Sequence, residues 1–343
     1  MSFQLQRYPS NKEPQPILTP RKDIDWEGKA VFNPTVIKDG EIFRMLYRTY
    51  PANLENGEPR FKRPGFYFKN QISYIGYAES KDGINFERRD TPFIFPDSEC
   101  DKYGCEDPRV TKIGDTFYIT YTAIDGPISD REHKPNVRIA LAATKDFKTV
   151  TKHGIIGPAS RSKAAAFFPE TVNNGKIGLL LTNTADSATS RVSVRYYDSI
   201  EDAMHSDFEG WEKFLAQDTA VLKTDWWLHR GPELGAAPIK TEKGWLAIFS
   251  AESMSDTWTI GAALLDLDEP HKLIARTPGY ILQSVTEYER EGLVPNVTFP
   301  EGTVVVGEEL YVYYGAADTV IGLATCKLKE LLDYLETFAG EKL

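Results

Sequence analysis

The chain has 343 residues, of which 41% are hydrophobic and 12% aromatic, and its formal net charge is −10 at pH 7. This composition suffices for a sizeable core, and the length is compatible with one large all-β unit. The acidic balance, without any Lys/Arg-rich block, argues against a nucleic-acid partner, because binding to the phosphate backbone requires a basic stripe.

The N-terminus, M-S-F-Q-L-Q-R-Y-P-S-N-K, lacks the apolar region of a secretory signal. No stretch approaches the length of about 18 apolar residues that a membrane span needs. We therefore expect a cytoplasmic protein without a membrane partner. The three cysteines, Cys100, Cys105 and Cys326, are too few for a disulfide framework. C-x4-C without a second Cys/His pair is weak support for zinc, so we expect reduced thiols and no metal.

One pattern occurs five times: a proline, a short apolar run, a polar turn with glycine, and an alternating strand. In chain order the copies are N-P-T-V-I-K-D-G-E-I-F-R-M-L-Y-R, D-P-R-V-T-K-I-G-D-T-F-Y-I-T-Y-T, F-P-E-T-V-N-N-G-K-I-G-L-L-L-T-N, A-P-I-K-T-E-K-G-W-L-A-I-F-S and F-P-E-G-T-V-V-V-G-E-E-L-Y-V-Y-Y-G. Their turn chemistry predicts β-hairpins. Proline is tolerated at the first position of a strand.

Each hairpin is followed by another strand-like run, such as I-S-Y-I-G-Y-A-E-S or V-R-I-A-L-A-A-T. Three to four strands per unit, repeated five times, predict an all-β, five-bladed β-propeller. We expect one domain over residues 1–343, with blade hairpins starting near residues 33, 107, 168, 237 and 299. A pair of β-sandwich domains is the alternative. The terminal K-L-K-E-L-L-D-Y-L-E-T-F predicts a short C-terminal helix packed on the outside.

In a propeller the residue before each proline would lie near the central axis. Among those five residues only Asp107 is ionisable, and Glu106 precedes it. The second strand of each hairpin would return at Arg48 and Glu252, among others. The axis would then gather several carboxylates with Arg and Asn, which suits glycoside chemistry; its members would be Asn33, Arg48, Asp107, Glu233, Glu252 and Asp318. Alternatively, Glu106 and Asp107 cap a turn and Arg109 pairs with one of them.

The segments G-C-E-D-P-R-V, G-A-A-L-L-D-L-D-E-P-H-K, V-P-N-V-T-F-P and Y-Y-G-A-A-D-T resemble glycoside hydrolase family 130. That family contains β-mannoside phosphorylases and some β-mannosidases on a five-bladed propeller. The resemblance implies an inverting mechanism with Asp107 as general acid, and a route for its proton through the 3-hydroxyl of the bound mannose. It also implies sugar contacts at Asn33, Arg48 and Asp318, and it suggests a homo-oligomer.

The sequence departs from the family's phosphorylases at four positions. Where they carry two Arg and a His, this chain has Lys163, Thr182 and Ser250. Where they carry a Lys, it offers Arg230 or Gly231. Phosphate recognition relies on Arg because its planar fork pairs bidentately with phosphate oxygens. Most of a phosphate cradle is therefore missing.

Glu233 and Glu252 lie in the segments where the Lys and His would stand. A carboxylate there repels phosphate but can take a proton from water. We therefore predict an inverting hydrolase of β-1,2- or β-1,4-linked manno-oligosaccharides without a cofactor, with Glu233 as base; Asp186 is a weaker candidate. The predicted substrate-binding set comprises Asn33, Arg48, Glu106, Arg109, Lys163, Arg230, Glu252 and Asp318.

Other functions remain open at this level. A β-mannoside phosphorylase would use inorganic phosphate as co-substrate, with Lys163 and Arg230 as its ligands. A sugar-binding propeller without activity is a second alternative, and glycosidases acting on arabinan or fructan are a third. Glu252 could also be a solvated residue at the end of a strand.

Overall fold

The computed structural model describes residues 3–59, 66–128, 134–185, 187–217, 219–224 and 228–340. Strands dominate it, and five antiparallel sheets form blades around a central axis. The predicted five-bladed β-propeller is therefore confirmed. Within the described ranges, none of the helices has the length and apolar character needed to cross a lipid bilayer.

The N-terminal part of the chain supplies one outer strand and then the first two blades. The strands of this part are β1 (Gln6–Arg7), β2 (Ala30–Asp39), β3 (Ile42–Tyr50), β4 (Asn56–Pro59), β5 (Phe66–Phe68), β6 (Tyr74–Ser80), β7 (Glu87–Arg88), β8 (Gly104–Ile113), β9 (Thr116–Ile124), β10 (Val137–Thr144) and β11 (Thr151–Ile155). Blade 1 has the strand order β2-β3-β6-β7, and blade 2 has β8-β9-β10-β11. A short 3-10 turn, Asp25–Glu27, precedes blade 1.

In its described residues, the remaining chain supplies three blades and four short helices. Its elements are β12 (Ser162–Phe167), β13 (Ile177–Asn183), β14 (Arg191–Tyr197), α1 (Ile200–Met204), α2 (Phe208–Leu215), β15 (Ala220–Lys223), β16 (Leu228–Leu234), β17 (Ile239–Thr241), β18 (Gly244–Ser253), β19 (Trp258–Leu265), β20 (Leu273–Arg276), α3 (Glu287–Arg290), β21 (Thr298–Val306), β22 (Glu309–Ala316), β23 (Val320–Lys327) and α4 (Leu328–Glu336). Blade 3 is β12-β13-β14-β15, blade 4 is β16-β18-β19-β20 with β17 beside β18, and blade 5 is β21-β22-β23-β1.

The ring closes through the N-terminal strand, because β1 is the outermost strand of blade 5. Gln6 lies opposite Thr325 and Arg7 opposite Ala324. The guanidinium of Arg7 also binds the buried carboxylate of Glu289, with Nε 2.7 Å from Oε1. Residues from the two ends of the chain thus complete one sheet.

The core consists of apolar clusters, and each of the five largest lies between two neighbouring blades. For example, Tyr77 of blade 1 packs with Phe117 and Phe147 of blade 2, with ring centroids of Tyr77 and Phe147 5.3 Å apart. The predicted C-terminal helix, α4, buries Leu331 and Leu335 on the outside of blades 4 and 5. Each blade is therefore stabilised by its neighbours, as radial repetition of small sheets requires.

The innermost strands differ from the prediction in their starting points. They begin at residues 30, 104, 162, 228 and 298. Pro34, Pro108 and Pro300 lie within these strands, whereas Pro169 and Pro238 lie beyond the ends of β12 and β16. The equivalence of the five prolines was therefore wrong for blades 3 and 4. Proline has no N–H for the ladder, so it is accepted both at a bulge and just outside a strand, and its position does not fix the register.

Candidate active site

Bulges in the innermost strands turn side chains toward one face of the ring. Asn33 is the extra residue in β2, and its backbone is left-handed with φ 49°. Asp107 has the same conformation, φ 51°, at the bulge of β8. Asn and Asp tolerate this region better than other residues with a side chain, and a bulge re-aims the side chain that it carries. Gly315 assists, since a Cβ there would overlap the amide of Asn33.

Asp107 is the centre of a buried hydrogen-bond network. It is 6% exposed, and its Oδ1 accepts from Nδ2 of Asn33 at 2.9 Å and from Nη1 of Arg48 at 3.0 Å. The Arg48 guanidinium lies over the rings of Phe32 and Tyr50, 4.7 and 4.9 Å from their centroids, and it also donates to the Tyr50 hydroxyl. Asn33 and Arg48 of blade 1 and Asp107 of blade 2 are thereby held in one arrangement.

Glu106 is the second carboxylate on the same guanidinium. Its Oε1 accepts from Nη2 of Arg48 at 2.6 Å, from Oγ of Ser73 at 2.9 Å and from Nε2 of Gln71 at 3.2 Å. Sequence reasoning missed Tyr50, Gln71 and Ser73, because they lie in or beside an irregular insertion between β3 and β6 that the repeat does not contain.

The two adjacent carboxyls have opposite pKa shifts. Burial raises the pKa of Glu106, and the nearby Asp107 charge adds to this. Burial also acts to raise the pKa of Asp107, but Arg48, Lys163, Arg109 and the Asn33 hydrogen bond together hold it below its usual range. Of the two carboxyls Asp107 is therefore the stronger acid, and Glu106 retains its proton to higher pH.

Asp318 lies close to this group, although it comes from blade 5. It follows β22 in a left-handed turn with φ 51°. Burial acts to lower the pKa of Arg48, but the charges of Glu106, Tyr50, Asp107 and Asp318 raise it well above the usual value. The ring thus brings Asp318 beside Arg48.

Arg109 was predicted to bind substrate, but its side chain points into the interior of the protein. It is 1% exposed and donates to the carbonyls of Gly235 (2.8 Å), Leu234 (3.0 Å) and Asp107 (2.8 Å). Its Nη2 also lies 3.0 Å from Oε1 of Glu301, a fully buried residue of blade 5. These contacts hold the backbone of Asp107 from beneath and do not present Arg109 to a sugar. We therefore assign Arg109 a positioning role.

Glu301 was not identified from the sequence. It is the extra residue at the bulge of β21, directly after Pro300. Burial raises its pKa well above the usual value, the Asp107 charge adds to this, and Arg109 opposes it. The sequence signal for Glu301 is the carboxylate in F-P-E-G, but it follows the proline and so does not share the repeat position of Asn33 and Asp107. On the opposite face of the ring, Glu301 borders a cavity of about 300 Å³, whose other lining residues include Thr35, Lys112 and Pro238.

We expect Arg109→Met to destabilise the fold by about 3–5 kcal/mol, because it strips a buried carboxyl and three carbonyls of their partner. Denaturant unfolding measures this free energy. The double variant Arg109→Met/Glu301→Gln should lose less stability, because Glu301 then leaves no unpaired buried charge. Arg44→Met, which removes partly exposed pairs with Asp39 and Glu79 and a hydrogen bond to the Tyr77 hydroxyl, should cost less, about 1 kcal/mol. Equal losses for Arg109→Met and Arg44→Met would contradict the buried-clamp assignment.

Blades 3 and 4 contribute Lys163, Arg230, Glu233 and Glu252. Lys163 flanks the bulge of β12, and its charge acts on Asp107, Glu106 and Glu301. Arg230 and Glu252 lie opposite each other on β16 and β18, and their side chains form a buried ion pair. Glu252 is 3% exposed and Glu233 2%. Glu252 is therefore not a solvated residue at a strand end.

Thr182 and Ser250 stand where the resemblance places an Arg and the His of phosphorylases. The Thr182 hydroxyl accepts from the Leu234 amide at 2.8 Å, and the Ser250 hydroxyl donates to the Thr259 carbonyl at 3.0 Å. Both are fully buried. These hydroxyls join strands and do not supply cationic donors.

One group of potential metal ligands occurs in the described part of the chain, formed by His229, Glu252 and Asp256. Nδ1 of His229 lies 3.2 Å from Oδ1 of Asp256 and 4.0 Å from Oε2 of Glu252. Because Glu252 already pairs with the Arg230 cation, we assign no metal to this group. Asp186, the weaker base candidate, lies outside the described residues.

Comparison with known proteins places this site in a family. The model of the Glyco_hydro_130 family, described as beta-1,4-mannooligosaccharide phosphorylase, matches residues 9–337. The chain belongs to glycoside hydrolase family 130. Within family 130, a 1,2-beta-oligomannan phosphorylase of Thermoanaerobacter sp. is 34% identical over 92% of this chain and 96% of its own length. A beta-1,2-mannobiose phosphorylase of the same organism is 36% identical over 96% and 99%.

Family 130 also supplies a similar solved structure. The beta-1,2-mannobiose phosphorylase from Listeria innocua, in complex with beta-1,2-mannobiose, has a TM-score of 0.79 and 28% identity, and the match covers 97% of this chain and 99% of the other. The five-bladed arrangement is thus shared along nearly the whole chain.

Proposed function

We propose that this family 130 protein hydrolyses β-1,2-linked manno-oligosaccharides with inversion, releasing α-mannose. Asp107 is the general acid, Asn33, Arg48 and Asp318 hold the terminal mannosyl unit, and Glu233 activates water. The β-1,2 linkage is supported by relatives at 34% and 36% identity whose names specify it.

Because the pKa of Asp107 is held low, a general acid at this position needs sugar binding to raise it. A sugar that fills the pocket removes water from Asp107 and bonds to Arg48, and both changes raise the pKa of the carboxyl. The proton then passes to the leaving oxygen through the 3-hydroxyl of the mannosyl unit. No cofactor takes part.

Hydrolysis is supported by one observation: blade 4 contributes two buried carboxylates, Glu233 and Glu252. Glu252 neutralises Arg230, and Thr182 and Ser250 bond to backbone. A phosphate dianion would therefore meet two carboxylates and few available cationic donors. Water needs the opposite, namely a carboxylate that accepts its proton.

Phosphorolysis is the second candidate, since the relatives named above are phosphorylases. One observation in this chain favours it: Nε and Nη1 of Arg230 are buried without a protein hydrogen-bond partner. If Glu252 were protonated or moved, Arg230 together with Lys163 could bind one phosphate. Phosphate would then replace water as the nucleophile.

The test is incubation with β-1,2-mannobiose, with and without inorganic phosphate, followed by NMR of the products. We expect α-mannose as the first-formed product and the same rate in both arms, because no phosphate step is required. Mannose 1-phosphate as the main product would overturn hydrolysis and assign Lys163 and Arg230 to phosphate. A lack of cleavage in either arm, with sugar binding retained, would indicate a sugar-binding propeller.

A further inference from the structure

The hairpin formed by β4 and β5 stands on the face of the ring that carries Asp107. It is inserted after β3, whose last residues include Arg48 and Tyr50. After β5 the chain returns into the site, where Gln71 and Ser73 donate to Glu106 at 3.2 and 2.9 Å. Both ends of the hairpin are thus connected to the network around Asp107.

The base of the hairpin is held in a fixed position. The Asn70 side chain accepts from the Glu55 amide at 2.9 Å and donates to the Asn53 carbonyl at 2.6 Å. Phe68 is 4% exposed, and its ring centroid lies 5.7 Å from that of Tyr50. The ring of Tyr50 in turn packs against the Arg48 guanidinium.

Phe66 continues this aromatic row away from the acid. Side chains alternate along a strand, so Phe66 is on the same face of β5 as Phe68, about 7 Å farther along. Unlike Phe68, it is 40% exposed. Beneath Asp107 the axis is blocked by the buried Arg109–Glu301 pair. A saccharide that extends beyond the bond to be cleaved must therefore leave through the face of the ring on which the hairpin stands.

We propose that Phe66 is the stacking platform of an acceptor-side subsite, which binds a mannosyl unit beyond the scissile bond. The C–H face of a pyranose is apolar and packs on an aromatic ring, and carbohydrate sites combine such platforms with a few fixed polar groups. The hairpin thereby favours oligosaccharides over short mannosides. This inference rests on the proposed mannoside specificity but not on the choice between water and phosphate.

The test measures binding without turnover. Calorimetry compares Asp107→Asn with Asp107→Asn/Phe66→Ala, using β-1,2-mannotriose and free mannose as probes. We expect the second variant to bind mannotriose about 5–10-fold more weakly, the usual scale for loss of one aromatic contact, with mannose affinity unchanged. Phe66→Trp should retain mannotriose affinity. Phe208→Ala, which removes a similarly exposed ring on helix α2 outside the site, should have no effect on either affinity.

Equal mannotriose affinity with and without the Phe66 ring would overturn the inference, as would absence of mannotriose binding to Asp107→Asn. A parallel loss for mannose would assign Phe66 to the shape of the whole pocket, which also overturns it. Failure of the wild-type protein to cleave mannosides would refute the proposed activity but leave this binding comparison intact.

Discussion

Replacing Asp107 by Asn is expected to lower turnover on β-1,2-mannobiose by about 10²–10⁴-fold, the usual range for loss of a general acid. The amide cannot supply a proton to the leaving oxygen. Its oxygen can still accept from Asn33 and Arg48, which bind Oδ1 of the native side chain. Steady-state release of mannose measures the loss, and thermal unfolding tests whether the fold persists.

A matched control is Asp39→Asn, because Asp39 ends strand β2 on the face of the ring opposite Asp107. Asp39 also lies between cations, 2.8 Å from Lys112 and 3.3 Å from Arg44, so the same chemical change is made far from the pocket. This variant should retain wild-type turnover. Near-normal turnover of Asp107→Asn would remove Asp107 from the mechanism.

Glu233→Gln is expected to reduce hydrolysis by about 10²-fold or more, since water then loses the group that accepts its proton. Sodium azide provides a sharper measurement than rate alone. Azide attacks as an anion and needs no base, so it should restore cleavage of the variant and yield α-mannosyl azide. Product NMR distinguishes this compound from α-mannose.

The control for this variant is Glu170→Gln, because Glu170 pairs with Lys240 at 2.5 Å in an exposed position. Its turnover should not change. Unchanged hydrolysis by Glu233→Gln would transfer the role of base to another carboxylate, with Glu252 the next to be substituted. A variant that cleaves only with phosphate would support phosphorolysis.

The number of blades was predictable because five similar hairpins leave a clear record in the sequence. The grouping of Asn33, Arg48 and Asp107 was also predictable, since Asn33 and Asp107 each precede the proline of their repeat and Arg48 lies where the second strand of the first hairpin returns. The structure brings all three within direct hydrogen-bond distance. Their chemical roles stay predictions until the variants above are measured.

The remaining site could not be derived in the same way. A bulge adds one residue to a strand, and this shifts the register by an amount that alternation alone does not reveal. Glu301, the extra residue of β21, was therefore overlooked. Arg109 carries the same charge as a sugar-binding Arg would, and only its contacts with the carbonyls of Gly235 and Leu234 show that it faces the interior.

The closure of blade 5 by β1 also bears on how the molecule reaches its folded state. Gln6 and Arg7 are synthesised long before their strand partners, Thr325 and Ala324. Pairing of such distant segments raises contact order and slows folding. Until the two segments meet, the outer edge of β23 is open to strands of other chains. Once paired, the short N-terminal strand covers part of this edge in addition to completing the sheet, so we expect aggregation through the edge to be confined to the interval before the ring closes.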